Sequence, residues 1–189
     1  MSYLISESAK ALPMETLPAW KITHFCGAPA RGEVYAYLRC YIRAGSLFYC
    51  ATVFDSAPRP TARFGFAFTP ESTPRRYLFV SSAKNAAPTL RLYETAAPED
   101  RPVRTLAMPP ARQSTGSDEQ GEYWSEEGEV PADILQGIFG HIPRSGDVLP
   151  ANIFLYDEAE APFGAACPTP PNRRVPTVEG FGTMVVTPY

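Results

Sequence analysis

The chain has 189 residues, of which 44% are hydrophobic and 20% are charged, and its formal net charge is −3. This composition is that of a folded globular protein, and the acidic balance excludes the basic face that nucleic-acid binding requires. No apolar run approaches the ~20 residues of a membrane-spanning helix, so neither a nucleic acid nor a membrane is an expected partner.

The N-terminal segment MSYLISESAKALPM lacks the basic start and the sustained apolar stretch of a secretory signal. The expected location is therefore cytoplasmic, or extracellular if a signal peptide has been removed. The four cysteines, at positions 26, 40, 50 and 167, form no CxxC pair and no zinc-binding spacing. We therefore expect free thiols, no metal site and no cofactor.

The segments Glu33–Arg43 and Ser46–Phe54 predict a β-hairpin, because β-branched and aromatic residues flank a turn that contains glycine. One face of the first strand is apolar and is expected to face the core: Val34, Ala36, Leu38, Cys40 and Ile42. The other face carries tyrosines and arginines that are either covered by loops, which we favour, or form an open platform: Tyr35, Tyr37, Arg39, Tyr41 and Arg43. A three-residue turn would place Cys40 opposite Cys50, where two buried thiols are favoured over a disulfide.

Further short strands follow along the chain. The segment Arg63–Thr69 alternates strictly and predicts that Phe64, Phe66 and Phe68 face the core, together with Trp124 and Leu38. A short helix is expected near 132–139, where Ile134, Leu135 and Ile138 form one apolar stripe. The other predicted strands are Arg76–Ser82, Leu90–Glu94, Val103–Ala107, Gly121–Val130, Val148–Tyr156 and Phe181–Val186, and Phe163–Val178 is expected to be a proline-rich loop.

About nine short strands, one helix and 21 prolines, roughly twice the usual ~5%, indicate an all-β fold with stiff loops. Strands separated by turn signals about every 8–15 residues are typical of an antiparallel β-sandwich. We find no internal repeat and no linker, so residues 1–189 are expected to form a single domain.

Catalytic motifs are absent from the sequence. The two histidines, His24 and His141, are expected to have structural or solvated roles, and no HExxH, GxSxG or P-loop pattern occurs. The carboxylates of Glu122, Glu126, Glu127 and Glu129 are numerous enough to supply a glycosidase pair, but they are expected to form a solvated acidic face. We therefore assign no catalytic residue.

Aromatic rings interleaved with arginines are suited to sugars, because a ring can stack on a sugar and the polar groups can bind its hydroxyls.

The order of several segments resembles that of family 9-like carbohydrate-binding modules, which are β-sandwiches found beside glycan-degrading enzymes. The segments that carry the resemblance are AWKITHF, VYAYLRCYI, LFYCATVF, FGFAFTP, YLFVSSAKN, YWSEEGEVPADIL, SGDVLPANIFLYDE and VPTVEGFGTMVV. The resemblance implies a non-catalytic module with a glycan ligand, held between the loop before Phe64 and the loop after Tyr156. In the family, two aromatic rings pinch the sugar, and this chain offers Phe163 for one of them.

The residues expected to bind the glycan are Arg59, Arg63, Lys84, Asn85, Phe163, Asn172 and Arg173. The family's strand acid falls at Gly65 and its loop tryptophan at Ala166 or Cys167, so binding is expected to be weak, near ~1 mM or about −4 kcal/mol. The alternative is an interaction or structural β-sandwich that has lost sugar binding. The sequence leaves the oligomeric state open.

Overall fold

The structure, a computed structural model, describes residues 2–25, 36–54, 62–96, 101–157, 162–170 and 174–189. Within these ranges the chain forms short strands, one α-helix and a single turn of 3-10 helix at Met14–Thr16. The strands are β1 (Ser2–Glu7), β2 (Trp20–Lys21), β3 (His24–Phe25), β4 (Ala36–Arg43), β5 (Ser46–Phe54), β6 (Arg63–Phe68), β7 (Arg76–Ser82), β8 (Thr89–Glu94), β9 (Arg104–Leu106), β10 (Arg112–Asp118), β11 (Gly121–Val130), β12 (Val148–Tyr156), β13 (Pro162–Ala165) and β14 (Gly182–Pro188), and the helix is α1 (Ala132–Phe139).

The predicted all-β, sandwich-like fold is confirmed. Several strands were located closely, and β5, β7, β11 and β12 have the predicted bounds. No strand was predicted at β1 or β10, and β13 extends into the segment Phe163–Val178 that was expected to be a proline-rich loop. The strands β10 and β13 carry few of the alternating β-branched and aromatic residues by which a strand is recognised.

The sheet is continuous and curls so that its two halves face each other. Its main strand order is β10-β11-β5-β4-β1-β14-β12-β6-β7-β8-β9. We call β10, β11, β5 and β4 the first half-sheet and β12, β6, β7, β8 and β9 the second half-sheet. The pairing is antiparallel except at β1, which runs parallel to both β4 and β14. The sheet is therefore mixed, because a strand inserted between distant segments is not bound by the geometry of a hairpin.

The core lies between the half-sheets, on what we call their inner faces. Leu38, Phe64, Phe66, Phe68 and Trp124 are all at most 3% exposed and belong to one core cluster, which confirms their predicted placement. The helix α1 follows β11, buries Leu135 against this core and ends at Gly140, which has a left-handed conformation. The described part of the chain contains no helix with the length and apolarity that a membrane crossing requires.

The β4–β5 hairpin has a two-residue turn in place of the expected three-residue turn. Arg43 lies opposite Ser46, and both Ala44 (φ 48°) and Gly45 (φ 82°) have positive φ. Two positive φ values are the mark of a type I′ turn, which matches the twist of the flanking strands. This register places Cys40 opposite Tyr49 and Arg39 opposite Cys50.

The two hairpin cysteines therefore lie on opposite faces and cannot form the cross-strand disulfide that a three-residue turn would allow. The expected free, buried thiols are confirmed for Cys40, Cys50 and Cys167. Burial, aided by the Glu127 carboxylate, raises the pKa of Cys50 to about 11, and burial raises the pKa of Cys40 as well. These thiols stay protonated at neutral pH and are poor nucleophiles.

On the tyrosine–arginine face of β4, the arginine side chains lie over aromatic rings of the hairpin. The Arg39 guanidinium lies 4.8 Å from the centre of the Tyr37 ring, and that of Arg43 lies 4.3 Å from the centre of the Phe48 ring. Tyr41 stacks on Phe48 at 5.2 Å and is 3% exposed. Cation–π contacts of this kind let arginines and aromatic rings share a half-buried surface.

Glu71 holds the start of β7. One carboxylate oxygen accepts the backbone N–H groups of Arg75 and Arg76 at 2.9 and 3.0 Å, and the other accepts Nε and Nη2 of Arg76 at 3.1 and 2.8 Å. Burial by itself would raise the pKa of Glu71. The four donated hydrogen bonds and the arginine charge outweigh it and hold that pKa below its ordinary value.

We expect Ala44→Asn to stabilise the protein by about 0.5–1 kcal/mol, because an L-residue other than asparagine or glycine is strained at positive φ. The melting temperature should rise by about 1–4 °C for a chain of this size. Ala87→Asn, in an exposed loop position without a positive φ, is the control and should give no such increase. A melting temperature unchanged or lowered by Ala44→Asn would contradict the type I′ turn.

We expect Glu71→Ala to destabilise the protein by about 1 kcal/mol at pH 7, after allowance for solvent screening. Because the folded pKa is lowered, this contribution is present above the ordinary value of 4.5 and is lost as the pH falls through the folded pKa. Urea unfolding of both proteins from pH 7 to pH 3 should therefore show the difference shrinking with acid. Glu119→Ala, at an exposed turn position, should show no comparable pH-dependent difference.

Candidate functional site

One end of the sandwich, which we call the upper rim, brings several candidate ligand-binding residues together. At this rim β12 ends at Tyr156, opposite Arg63 at the start of β6, and β7 ends at Ser82, opposite Phe64. On the first half-sheet, β5 ends there at Phe54, opposite Tyr123 near the start of β11. The helix α1 follows the far end of β11 and lies at the opposite end of the sandwich.

Four of the seven predicted ligand residues lie in the described ranges, and all four are at the upper rim. Arg63 begins β6 and is half-buried, while Lys84 and Asn85 form the exposed turn that follows β7. Phe163 lies in β13 beside the end of β12, but it is 5% exposed and belongs to the main core. Arg59, Asn172 and Arg173 lie outside the described residues. The set as a binding site stays a prediction.

A polar groove of about 470 Å³ opens beside Lys84, between the turn after β7 and the β10–β11 hairpin. We call it the Lys84 groove, and its other lining residues are Thr115, Gly116, Ser117, Glu122 and Tyr123. The Tyr123 ring lies directly over Gly116, where a Cβ atom would collide with it. The groove thus combines an ammonium group, a carboxylate, two hydroxyls and a half-exposed aromatic ring.

A buried carboxylate joins the two half-sheets next to this rim. Glu126 is 0% exposed and lies on the inner face of β11. It accepts hydrogen bonds from the Tyr49 hydroxyl at 3.0 Å, from the Ser82 hydroxyl, and from Nε2 of Gln113 at 2.8 Å. Burial, together with the negative charge of Glu126, raises the pKa of Tyr49.

The expectation that Glu126 belongs to a solvated acidic face is therefore wrong. Along β11, residues two apart share a face, so Glu126 lies on the same side as the buried Trp124. The sequence contained this signal, because Trp124 was predicted to be in the core. A buried carboxylate persists only where donors satisfy it, and those donors come from three distant segments.

Gln113 fixes the shape of the turn that carries Lys84 and Asn85. Its amide nitrogen donates to the carbonyl oxygens of Ala83 and Ala86 at 3.0 and 2.8 Å, and its amide oxygen accepts the Asn85 N–H at 2.9 Å. Asn85 has φ 60°, a left-handed conformation that asparagine tolerates better than most residues. The turn is thus held rigidly against β10, and sequence reasoning missed Gln113 because nothing local marks it.

The outer face of the second half-sheet is filled by aromatic rings. Phe79 and Tyr156 lie over Gly65, where an added Cβ would come within 2.6 Å of the Phe79 ring. The Tyr156 and Ser81 hydroxyls share a hydrogen bond. Gly65 is the position that aligns with the family's strand acid, and in this chain the space above it is occupied.

The position that aligns with the family's loop tryptophan is also part of the interior. Cys167 is 5% exposed, and its backbone N–H and carbonyl both bond to the side chain of Asn152, which is 0% exposed. Asn152 further donates to the Gly180 carbonyl at 3.2 Å. This amide ties the loop to β12 as a structural element.

One polar atom near the rim lacks a partner. Thr89 lies opposite Ser81, and its buried hydroxyl oxygen has no hydrogen-bond partner among the described residues. A buried polar group without a partner is rare and marks a place where a water or a ligand hydroxyl can bind.

The histidines show no catalytic arrangement in the described part of the chain. His24 is exposed on β3, and Nε2 of His141 lies 2.6 Å from a carboxylate oxygen of Asp147, which also accepts the Arg144 N–H. Within the described ranges no three histidine, cysteine, aspartate or glutamate side chains come together as metal ligands.

Comparison with known proteins relates the chain to carbohydrate-binding folds. No protein-family model and no curated protein matches it. A Bacteroides uniformis protein provisionally named carbohydrate-binding is similar in structure, with a TM-score of 0.64 and 13% identity over 98% of each chain. A family 9 carbohydrate-binding module from Caldicellulosiruptor kristjanssonii, solved with glucose, has a TM-score of 0.56 and 11% identity, covering 100% of this chain and 97% of that one. The predicted family 9-like fold is confirmed, and at these identities the likeness concerns the fold alone.

We expect Glu126→Ala to destabilise the protein by about 2–4 kcal/mol, because it leaves the buried hydroxyls of Tyr49 and Ser82 without their acceptor. Glu126→Gln keeps the shape but places an amide donor where two acceptor oxygens are needed, and a loss of about 2 kcal/mol is expected. The urea midpoint should fall in both variants. Glu127→Ala, exposed on the same strand, should stay within about 0.5 kcal/mol of the parent protein. An unchanged midpoint for Glu126→Gln would show that the carboxylate does not join the half-sheets.

Proposed function

We propose that this chain is a non-catalytic glycan-binding module that binds a sugar weakly at its upper rim. The observation that carries the proposal is the convergence of Arg63, Lys84 and Asn85 from two segments on this rim. The same fold in the Caldicellulosiruptor module holds glucose, which supports a glycan as the ligand class. Arg59, Phe163, Asn172 and Arg173 complete the proposed set.

The Lys84 groove supplies chemistry that suits a sugar. The Lys84 ammonium donates to hydroxyl oxygens, the Glu122 carboxylate accepts from hydroxyl groups, and the half-exposed Tyr123 ring offers an apolar face. The hydroxyls of Thr115 and Ser117 can donate or accept.

Binding should be weak for reasons that are visible in the packing. The space over Gly65 is filled by aromatic rings, Cys167 is inside the core, and the Phe163 ring is 5% exposed. Three strong sugar contacts are therefore missing or restricted. We expect a dissociation constant of ~1 mM.

The second candidate is an interaction or structural β-sandwich that has lost sugar binding. The observation in its favour is that rings which could stack on a sugar are packed against other residues. Phe79 and Tyr156, for example, lie over Gly65. One measurement distinguishes the two functions, because only the first predicts that a glycan changes the NMR chemical shifts of residues at the rim.

The test is a titration of the ¹⁵N-labelled protein with mono- and disaccharides, followed by amide NMR shifts. We expect saturable shifts at Lys84, Asn85 and Tyr123 with at least one sugar. Lys84→Ala and Tyr123→Ala should each weaken binding about threefold to tenfold, because they remove a donor and a stacking face.

Lys10→Ala is the matched control, since Lys10 is exposed just beyond β1, whose last residue pairs with Ile42 at the opposite end of the sandwich, and its affinity should equal that of the parent protein. Melting temperatures of the variants separate lost binding from lost folding. Shifts clustered away from the rim would overturn the location. No shifts with any glycan would reject the binding function and favour the interaction domain.

A further inference from the structure

The strand β10 forms one edge of the sheet. It stands at one end of the strand order and, within the described ranges, pairs only with β11. Its seven residues, RQSTGSD, contain no proline and no lysine, and most of their side chains are exposed. The opposite end of the sheet is β9, which has only three residues.

An edge of this kind is a template for another strand. Proteins usually protect long edges with prolines, inward-pointing charges, bulges or a covering segment, because unpaired N–H and carbonyl groups recruit further strands. In β10 the middle of the strand carries only small or uncharged side chains, and its register with β11 runs without a bulge from Arg112 to Asp118. Charges occur only at its two ends.

The positions of those charges make β10 complementary to itself. If two copies pair antiparallel about a two-fold axis at Thr115, Arg112 of each copy lies opposite Asp118 of the other. Gln113 then faces Ser117, and Ser114 faces Gly116, so no large side chains collide. Opposite charges on paired positions stabilise antiparallel strands, and a shift of two residues would place Arg112 opposite an uncharged residue.

The neighbouring strand strengthens this register. Arg112 already lies opposite Glu127 of β11, so in the pair it would stand between two carboxylates. The Tyr123 ring lies over Gly116. In the pair, Gly116 would face Ser114 of the second copy, whose small side chain leaves room for this ring. Thr115, at the axis, has an exposed side chain.

We propose that a second copy of this chain pairs with the first through β10, antiparallel and centred on Thr115, to form a weak dimer with a continuous sheet. Thr115 and Ser117 line the Lys84 groove, so the axis passes beside both grooves and brings them close together. The proposal does not depend on glycan binding. A contact of two seven-residue strands is small, and a transient dimer is the expected result.

The test is sedimentation equilibrium of the full chain, from about 10 μM to about 1 mM, a range suited to a small interface. The parent protein should show a monomer–dimer equilibrium. Thr115→Lys and Thr115→Glu each place like charges opposite each other at the axis and should weaken dimerisation about tenfold or more. An equimolar mixture of these two variants should associate again, because lysine then faces glutamate.

Thr105→Lys, an exposed threonine on the β9 edge, is the matched control and should dimerise like the parent protein. Circular dichroism and melting temperature verify that the Thr115 variants fold, as their exposed position leads us to expect. A parent protein that stays monomeric at ~1 mM, dimerisation unaffected by Thr115→Lys, or a mixture that fails to associate would each overturn the proposal.

Discussion

The buried carboxylate of Glu126 links the two half-sheets, which the backbone does not join at their edge strands. Within the described residues, the strand order ends at β10 on one side and β9 on the other, and no backbone ladder joins these two edges. In place of a ladder, one side chain on β11 accepts hydrogen bonds from β5, β7 and β10. A carboxylate that accepts several hydrogen bonds can be buried, since the donors replace the water it loses. The mutual position of the half-sheets depends on this polar contact as well as on the apolar core.

The candidate site inherits its geometry from the same contact. Gln113, which donates to Glu126, also holds the carbonyl groups on both sides of Lys84 and the N–H of Asn85. The Lys84 groove lies between the segments that these bonds connect. A turn fixed in this way would lose little conformational entropy on binding, which suits the proposed weak glycan site. The contact between the half-sheets and the shape of the turn are therefore linked through one amide side chain.

Aromatic side chains serve packing on both outer faces, in two different ways. On the second half-sheet, the rings of Tyr77 and Tyr93 stack at 5.3 Å, and the Tyr77 hydroxyl reaches the Pro176 carbonyl of the C-terminal segment. On the first half-sheet, the guanidinium groups of Arg39 and Arg43 lie over the rings of Tyr37 and Phe48 in cation–π contacts. A composition rich in aromatic residues and arginine, which fits sugar recognition, is here explained mainly by these contacts. Tyr123, half-exposed over Gly116, is a ring that stays available at the rim.

The sequence alone determined the fold class, most strand bounds, the helix and the buried phenylalanines, because side-chain periodicity is local and directly reports which face of a strand is apolar. It also marked Lys84, Asn85 and Arg63 as candidates, and resemblance in segment order located them near one another. Tertiary structure decided the hairpin register, the strand β10, the parallel insertion of β1 and the burial of Glu126. Each of these depends on partners far along the chain: Glu126 is buried because Tyr49 and Ser82 lie 77 and 44 residues away in sequence yet meet it in space. Local patterns describe what a strand can bury, whereas only the assembled sheet decides which strand lies beside it.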